Sequence, residues 1–306
     1  MIQIVSVSQK PPSKSPCAIA IGAFDGIHVG HRELIRRTVE QAEAAGLVPA
    51  VFTFAPSSDF KMGERLCPRE ESFRMMEELG IRLIYEADFA SIRSLSPSDF
   101  VGQVLVGVCD ARVALCGFNF RFGKGASADG DALCRLMREQ EREGCVIPAI
   151  SVADAPVSSS RVRAALREGD MPLAGALLGR PFALRGSVSH GSALGRSLGF
   201  PTLNLPVPSG IAVPKQGVYV SETKIGDRVY RSVTDVGTRP TVSSLGEIRW
   251  ETHVLDELGD LYGREVSVSL LSYLREERRF SDREALAAQI RLDAEAARGY
   301  ISCSHN

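Results

Sequence analysis

Two kinds of hydrophobic pattern divide the chain. Up to about residue 180, short continuous apolar runs alternate with stretches of helical period. Residues 16–21 are followed by Leu34, Ile35, Val39 and Ala42 on one helical face. Residues 48–54 are followed by a helical pattern over 70–79, residues 81–85 by one over 99–108, and residues 112–116 form a fourth run. Apolar runs of this length suit parallel strands covered on both faces. Their alternation with helices predicts an α/β unit with a doubly wound parallel sheet. A helical pattern over 173–178 then ends at Gly179-Arg180-Pro181, and the composition changes to valine-rich runs separated by glycine and proline. Strands are expected over 186–189, 217–223, 229–235, 249–255 and 265–271, a spacing that predicts a small antiparallel β-barrel. Residues 281–298 read as a closing amphipathic helix, with Ser281 as N-cap and Glu284 completing a capping box. The expected domains are 1–180 and 181–306.

The densest candidate chemistry lies between the first run and the first helix, at Gly22-Ala23-Phe24-Asp25-Gly26-Ile27-His28-Val29-Gly30-His31. A strand, a glycine-rich turn and a helix start aim backbone N–H groups and the positive end of a helix dipole at one point, and glycine lets an anion approach the backbone. His28 and His31 flank Gly30, so both imidazoles can donate to charge that builds up on bound phosphates. One histidine at a helix start is ordinarily a cap or a packed side chain. This stretch gathers two of the five histidines, three glycines and an aspartate. In a doubly wound sheet the ligand sits beyond the carboxyl ends of the strands. The His28/His31 turn, the loop at Pro56-Ser57 and the loop after Cys116 are therefore expected to meet.

That last loop, Gly117-Phe118-Asn119-Phe120-Arg121-Phe122-Gly123-Lys124-Gly125, interleaves three aromatics with two cations and three glycines. By composition it is equally a surface loop with an aromatic cluster and a seat for a flat ring and a phosphate. Ser158-Ser159-Ser160-Arg161-Val162-Arg163 precedes a helix-forming run; serines there read as caps, and hydroxyls with arginines also make an anion site. In Gly195-Arg196-Ser197-Leu198-Gly199-Phe200-Pro201-Thr202-Leu203-Asn204 an extended backbone turns Thr202 and Asn204 to one face, as two hard oxygen ligands for Mg²⁺. Taken alone, that pair is a glycine- and proline-rich connection with incidental polar residues.

Composition narrows the partners. With 306 residues, 44% hydrophobic and 24% charged, the chain is an ordinary two-domain globular protein, and a net charge of −1 argues against a nucleic-acid binder built on a broad cationic face. Seven cysteines, an odd number without a Cys-x-x-Cys pair, read as reduced thiols of a cytoplasmic protein. The first residues lack a signal-peptide plan and no apolar run is long enough to span a bilayer, so no membrane is expected. No Gly-x-x-x-x-Gly-Lys-Ser/Thr loop occurs, which excludes an ordinary P-loop kinase.

These motifs resemble those of bacterial bifunctional riboflavin kinase/FAD synthetases. The first turn resembles the Gly-x-Phe-Asp-Gly-x-His-x-Gly-His signature of their adenylylating half. Residues 158–163 resemble its Ser-Ser-Thr-x-x-Arg element, with Ser160 in place of threonine. Residues 195–204 resemble the Gly-Arg-x-Leu-Gly-Phe-Pro-Thr-x-Asn motif of riboflavin kinases, departing at Leu203. The resemblance implies transfer of AMP from ATP to FMN, with His28 and His31 in catalysis. Gly22, Phe24, Asp25, Gly30, Ser159, Ser160 and Arg163 would hold the nucleotide, and Asn119, Phe120, Arg121 and Phe122 the flavin. For the second half it implies phosphorylation of riboflavin, with Glu251 as base and Mg²⁺ on Thr202 and Asn204. There Gly191, Gly195 and Arg196 would hold phosphates, and Arg239 and Arg275 the flavin. ATP, riboflavin and FMN are the implied small-molecule partners. Class I aminoacyl-tRNA synthetases share a His-x-Gly-His turn, but Lys61-Met62-Gly63-Glu64-Arg65 lacks the second lysine and serines of their other motif. One departure matters: Ala55-Pro56-Ser57-Ser58 stands where the family carries an acidic residue and then Pro-His-Pro. It implies adenylylation weaker than the kinase activity. The alternatives are a riboflavin kinase whose N-terminal half is inactive and a non-catalytic flavin-binding regulator.

Overall fold

The computed structural model describes residues 2–8, 15–55, 64–189, 200–239 and 247–301. The chain divides into two compact units, Met1–Ser158 and Ser159–Asn306.

In the first unit the elements are β1 (Gln3–Ser6), β2 (Cys17–Ile21), α1 (Val29–Ala45), β3 (Val48–Phe54), α2 (Arg69–Glu78) and β4 (Leu83–Ala87). Two short helical turns, α3 (Phe89–Ile92) and α4 (Pro97–Asp99), lead into a π-helix, Phe100–Val108. After β5 (Ala111–Gly117) come the short pair β6 (Arg121–Phe122) and β7 (Ala128–Asp129), then α5 (Gly130–Glu139), β8 (Glu143–Ile147) and the short pair β9 (Ser151–Val152) and β10 (Ala155–Pro156). Six strands form one parallel sheet in the order β1-β4-β3-β2-β5-β8. Every residue of β2 is buried. Alternation sends Cys17, Ile19 and Ile21 into a core with Phe100, Leu105, Leu133 and Met137, and Ala18 and Ala20 into a second core with Leu34, Ile35, Phe73 and Met76. Helices thus cover both faces, as the doubly wound reading requires. Strands run outward from β2 in both directions, so the β2–β5 junction is the switch point where such sheets bind ligands.

The hydrophobic pattern does not reveal β1, α5 or β8. Both strands lie at sheet edges, and Glu143 and Cys145 of β8 are exposed, so neither has a continuous apolar run.

In the second unit, α6 (Ser159–Glu168) and α7 (Met171–Leu178) precede β11 (Phe182–Ser187), β12 (Thr202–Pro206), β13 (Gly217–Ile225), β14 (Arg228–Arg239), β15 (Glu247–Val254) and β16 (Glu265–Arg275). A helix, α8 (Arg283–Gly299), follows. The strands form one antiparallel sheet in the order β11-β16-β13-β14-β15-β12. It curls into a half-barrel whose edges meet where the Ser189 N–H donates to the Asn204 carbonyl at 2.9 Å. Trp250, Tyr219, Val268 and Leu270 fill the interior.

The expected first strand, 186–189, starts earlier, at Phe182. The cap of the closing helix also differs: Asp282 is the N-cap and accepts from the Ala285 N–H at 2.7 Å, while the Ser281 hydroxyl donates to the Asp282 carboxylate at 2.8 Å. A carboxylate meets the positive helix end with charge as well as a lone pair, so it outcompetes the neighbouring hydroxyl. These bonds hold the Asp282 carboxyl below its ordinary value. Asp282→Ala is expected to lower the urea unfolding midpoint of the half-barrel, and Ser281→Ala to leave it close to wild type.

Candidate active sites

In the first unit the turn after β2 is built from unusual backbone. Phe24 and Ile27 take φ of 50° and 42°, and Gly26 takes 78°. A Cβ on Gly26 would lie 2.6 Å from Leu66 Cδ1, so only glycine satisfies both the angle and the space. Asp25 is 2% exposed and accepts from the Leu66 N–H at 2.8 Å, which ties the turn to a distant segment. The N–H of Gly22 donates to the Phe52 carbonyl at 3.1 Å.

His28 is the N-cap of α1; its Nδ1 accepts from the His31 N–H at 3.2 Å. In the neutral ring the proton then sits on Nε2, a donor. The His31 ring stacks on His28 with centroids 3.6 Å apart and 13° between planes, and Phe24 packs against His31 at 5.2 Å. A Cβ on Gly30 would lie 3.3 Å from the His28 ring, so the glycine makes room for it. Burial, and after it the neighbouring His28, pushes the His31 imidazole well below its usual range. The first turn of α1 carries no acidic residue, which leaves the positive end of the dipole available to an anion.

Beside the switch point lies a cavity of about 520 Å³. Phe120 and Phe122 stand in its wall, stacked at 5.4 Å and 11°, with Arg121 beside them. Asn119 is exposed and not among the lining residues, and Phe118 is 46% exposed. Phe54, Phe89, Arg93 and Lys124 also line the cavity, with Phe54 and Phe89 packed edge to face at 5.6 Å. Sequence reasoning does not single out Phe54, Phe89 or Arg93. Phe54 is visible there only as the end of an apolar run. Pro56, Ser57 and Ser58 lie outside the described residues. Ser159 and Ser160 open α6, and Arg163 is half-buried one turn on; all three group with the second unit.

In the second unit, register brings Asn204, Glu251, Asp235, Val218 and Arg275 into one row across five strands. Two cavities flank the half-barrel. One, of about 460 Å³, is bounded by Val188, Pro201, Thr202, Thr252, Asp256 and Tyr262. The other, of about 580 Å³, is bounded by Thr202, Asp235, Glu251, His253, Arg275 and Phe280, with α8 along one side. Thr202 lines both. His253, opposite Thr202 in register, is held by the Pro201 carbonyl at 3.0 Å. Arg275 grips Asp293 of α8 through two N–H···O bonds of 3.0 and 2.7 Å, and Gln289 adds a third donor at 2.8 Å. Gly191, Gly195 and Arg196 lie outside the described residues, and Arg239 ends β14.

Thr202 and Asn204 present a hydroxyl and an amide oxygen, the hard donors that suit Mg²⁺. The guanidinium of Arg249 lies 3.4 Å from Asn204 Oδ1 and 3.2 Å from Glu251 Oε1, so these oxygens already receive positive charge. Among the described residues no cluster of three His, Cys, Asp or Glu can hold a metal.

A glycine-turn helix start free of first-turn carboxylates on a doubly wound sheet, and a half-barrel with a carboxylate-lined cavity, are the two parts of a transferase acting on nucleotides. Residues 10–161 match the family model for FAD synthetase, and residues 178–301 the model for riboflavin kinase. The bifunctional riboflavin kinase/FMN adenylyltransferase of Bacillus subtilis (strain 168) is 32% identical, covering 93% of this chain and 92% of its own length. That of Pseudomonas fluorescens is 36% identical over 96% of each chain. A crystal structure from Streptococcus pneumoniae, described as a macrolide-efflux protein, has a TM-score of 0.86 and 29% identity, covering 98% of this chain and 100% of that one. Among the described residues no helix is long and apolar enough to cross a membrane. The chain belongs to the bifunctional riboflavin kinase/FMN adenylyltransferase family and carries both of its domains.

The His31 environment has a measurable consequence. An unfolded imidazole binds a proton as pH falls through about 6.5, and the folded one does not. The unfolded state then holds more protons, so stability falls on acidification, by up to about 1.4 kcal/mol per pH unit. His31→Asn is expected to flatten that slope in urea titrations on either side of this pH.

Proposed function

We propose that residues 181–306 phosphorylate riboflavin to FMN and residues 1–180 adenylylate FMN to FAD, with ATP as donor in both reactions and in the cytoplasm. The observation that carries the kinase reading is the sharing of Thr202 between two cavities, with Glu251 one step away along the sheet. Nucleotide in the smaller cavity and flavin in the larger would bring the terminal phosphate and the ribityl 5′-hydroxyl together beside Glu251. Glu251 takes the hydroxyl proton, the oxygen attacks the γ-phosphorus, and ADP leaves. Arg249 holds the carboxylate in place. Thr202 and Asn204 would hold Mg²⁺, which when bound neutralises charge on the phosphates. Arg275, locked to Asp293, acts on the flavin by fixing the α8 wall.

In adenylylation an FMN phosphate oxygen attacks the α-phosphorus of ATP in line and pyrophosphate leaves. His28 and His31 supply neutral N–H donors, and Gly30 and the α1 start supply backbone N–H groups. Gly22, Phe24 and Asp25 hold the turn in shape. Phe120 and Phe122 seat the isoalloxazine ring, with Arg121 at the rim. Ser159, Ser160 and Arg163, by their likeness to the family's second element, are assigned to the triphosphate.

Pure protein given riboflavin, ATP and Mg²⁺ is expected to yield FMN and then FAD, resolved by chromatography. FMN without FAD would leave only the kinase half of this reading. Glu251→Gln should slow FMN formation by about 10²–10⁴-fold and spare FAD formation from supplied FMN. His28→Ala should do the reverse, slowing adenylylation by about 10²–10³-fold. Equal loss of both activities in either variant would contradict the assignment.

A further inference from the structure

Asp235, on β14, has no role in either reaction above. It stands directly opposite Glu251 in register and lines the same cavity. Its Oδ1 is buried without a partner, and Glu277, in the segment that follows β16, lines the same cavity. Glu277 Oε1 lies over Gly237, two residues along β14 from Asp235 and so on the same face of the strand. A Cβ on that glycine would fall 2.0 Å from Glu277 Oε1, so any larger residue would block the approach. Two carboxyls bond to each other only when one of them holds a proton.

The surrounding charges leave that proton as the means of neutralising the pair. From β15 come Glu251, another negative charge, and Arg249, engaged with Glu251 and Asn204. From β16 comes Arg275, bound to Asp293 of α8. His253, Arg278 and Arg279 complete the titratable and charged lining. Burial first, then Glu277 and Glu251, push the Asp235 carboxyl up to about 7, with Arg275 pulling the other way.

We propose that Asp235 is a positioning residue of the kinase: through a proton shared with Glu277 it pins residues 276–280 against β14 and so shapes the flavin cavity. The inference rests on the reading of that cavity as the riboflavin site. The folded carboxyl keeps its proton to higher pH than a free aspartate, so the pinned form prevails below neutrality and is lost as pH rises through it. Once both carboxyls ionise they repel, and Arg278, Arg279 and Phe280 lose their anchor. Flavin binding weakens; Glu251, opposite, remains where Arg249 holds it.

The test is the KM and kcat of FMN formation by the full chain between about pH 6 and about pH 9. In wild type, KM for riboflavin is expected to rise above neutrality, by at most about tenfold per pH unit for one linked proton, while kcat changes much less. Asp235→Asn should keep the low-pH KM throughout, because its amide donates to the Glu277 carboxylate at every pH. Glu277→Gln should do the same from the other side, and Asp235→Ala should show a raised KM at every pH. The urea unfolding midpoint of the half-barrel and a kcat for FMN formation near wild type report that each variant is folded. A wild-type bend retained in Asp235→Asn, or a wild-type KM in Asp235→Ala near pH 6, would overturn the proposal. Wild-type protein that makes no FMN would overturn the flavin-site reading beneath it.

Discussion

Pleating governs where chemistry can sit in each unit. Along β15, Trp250, Thr252 and Val254 point into the half-barrel and are buried, while Arg249, Glu251 and His253 take the opposite face. Antiparallel register carries that choice from strand to strand, which is why Asn204, Glu251 and Asp235 form a row. A slip of one residue in β15 would send Glu251 into the core and Trp250 out of it. The parallel sheet has no such freedom, because β2, β3 and β5 are apolar on both faces and helices cover both. Its polar groups can gather only where strands end, and the deepest such point is between β2 and β5. The half-barrel thus presents chemistry from a face and the parallel sheet from an edge.

What holds the half-barrel in register is itself polar. Ser221 lies 2.8 Å from both Ser232 and Thr234, Thr223 lies 2.9 Å from Ser232, and Thr234 lies 2.8 Å from Thr252, all five without exposure to solvent. Each bond adds only about 0.5–1.5 kcal/mol net, but a buried hydroxyl left without one costs about 1–3 kcal/mol. An apolar interior would tolerate a shifted strand; this chain of hydroxyls, shared by β13, β14 and β15, does not. On the other face the Arg275–Asp293 pair, with 15% and 7% of the side chains exposed, fixes α8 over the cavity. Removing either partner would leave a buried charge without compensation, so the pair defines the position of the helix more than it adds stability.

The fold is legible in the sequence where hydrophobic period is strong. Central strands β2, β3 and β5 and helix α1 stand out because burial on both faces leaves unbroken apolar runs. Edge strands β1 and β8 do not, since two residues of each are exposed and neither forms a continuous apolar run. Local chemistry misleads at α8, where Ser281 and Asp282 compete for one cap and only geometry decides. Of the site residues, the turn at 22–31 stands out by its density of glycine and histidine; Gly26 answers to a positive φ and Gly30 to the room the His28 ring needs. Phe54 lines the first cavity from the end of β3, and Phe89 and Arg93 line it from α3 and its C-cap, and no local pattern joins the two segments. Asp235 reads along the chain as an ordinary strand residue. Its importance comes from lying across from Glu251, and cross-strand partners are fixed by register, which a linear sequence does not display.

The two sites meet the same polyphosphate with different electrostatics. Around His28 and His31 the rings are too close for both to carry charge, and His31 is held neutral, so attraction comes from N–H donors and a helix end free of first-turn carboxylates. Such a site can bind an anion directly. The half-barrel instead lines its larger cavity with carboxylates, Glu251, Asp235 and Glu277, interleaved with Arg275, Arg278 and Arg279. Arg249 adds a further guanidinium, 3.4 Å from Asn204 Oδ1 and 3.2 Å from Glu251 Oε1. A carboxylate base is compatible with phosphoryl transfer only where positive charge comes between it and the phosphate. On the proposed reading, the carboxylate that activates the hydroxyl in the second site also sets the need for positive charge. The first site, whose nucleophile is an FMN phosphate already ionised, needs no such base and places no first-turn carboxylate before its ligand.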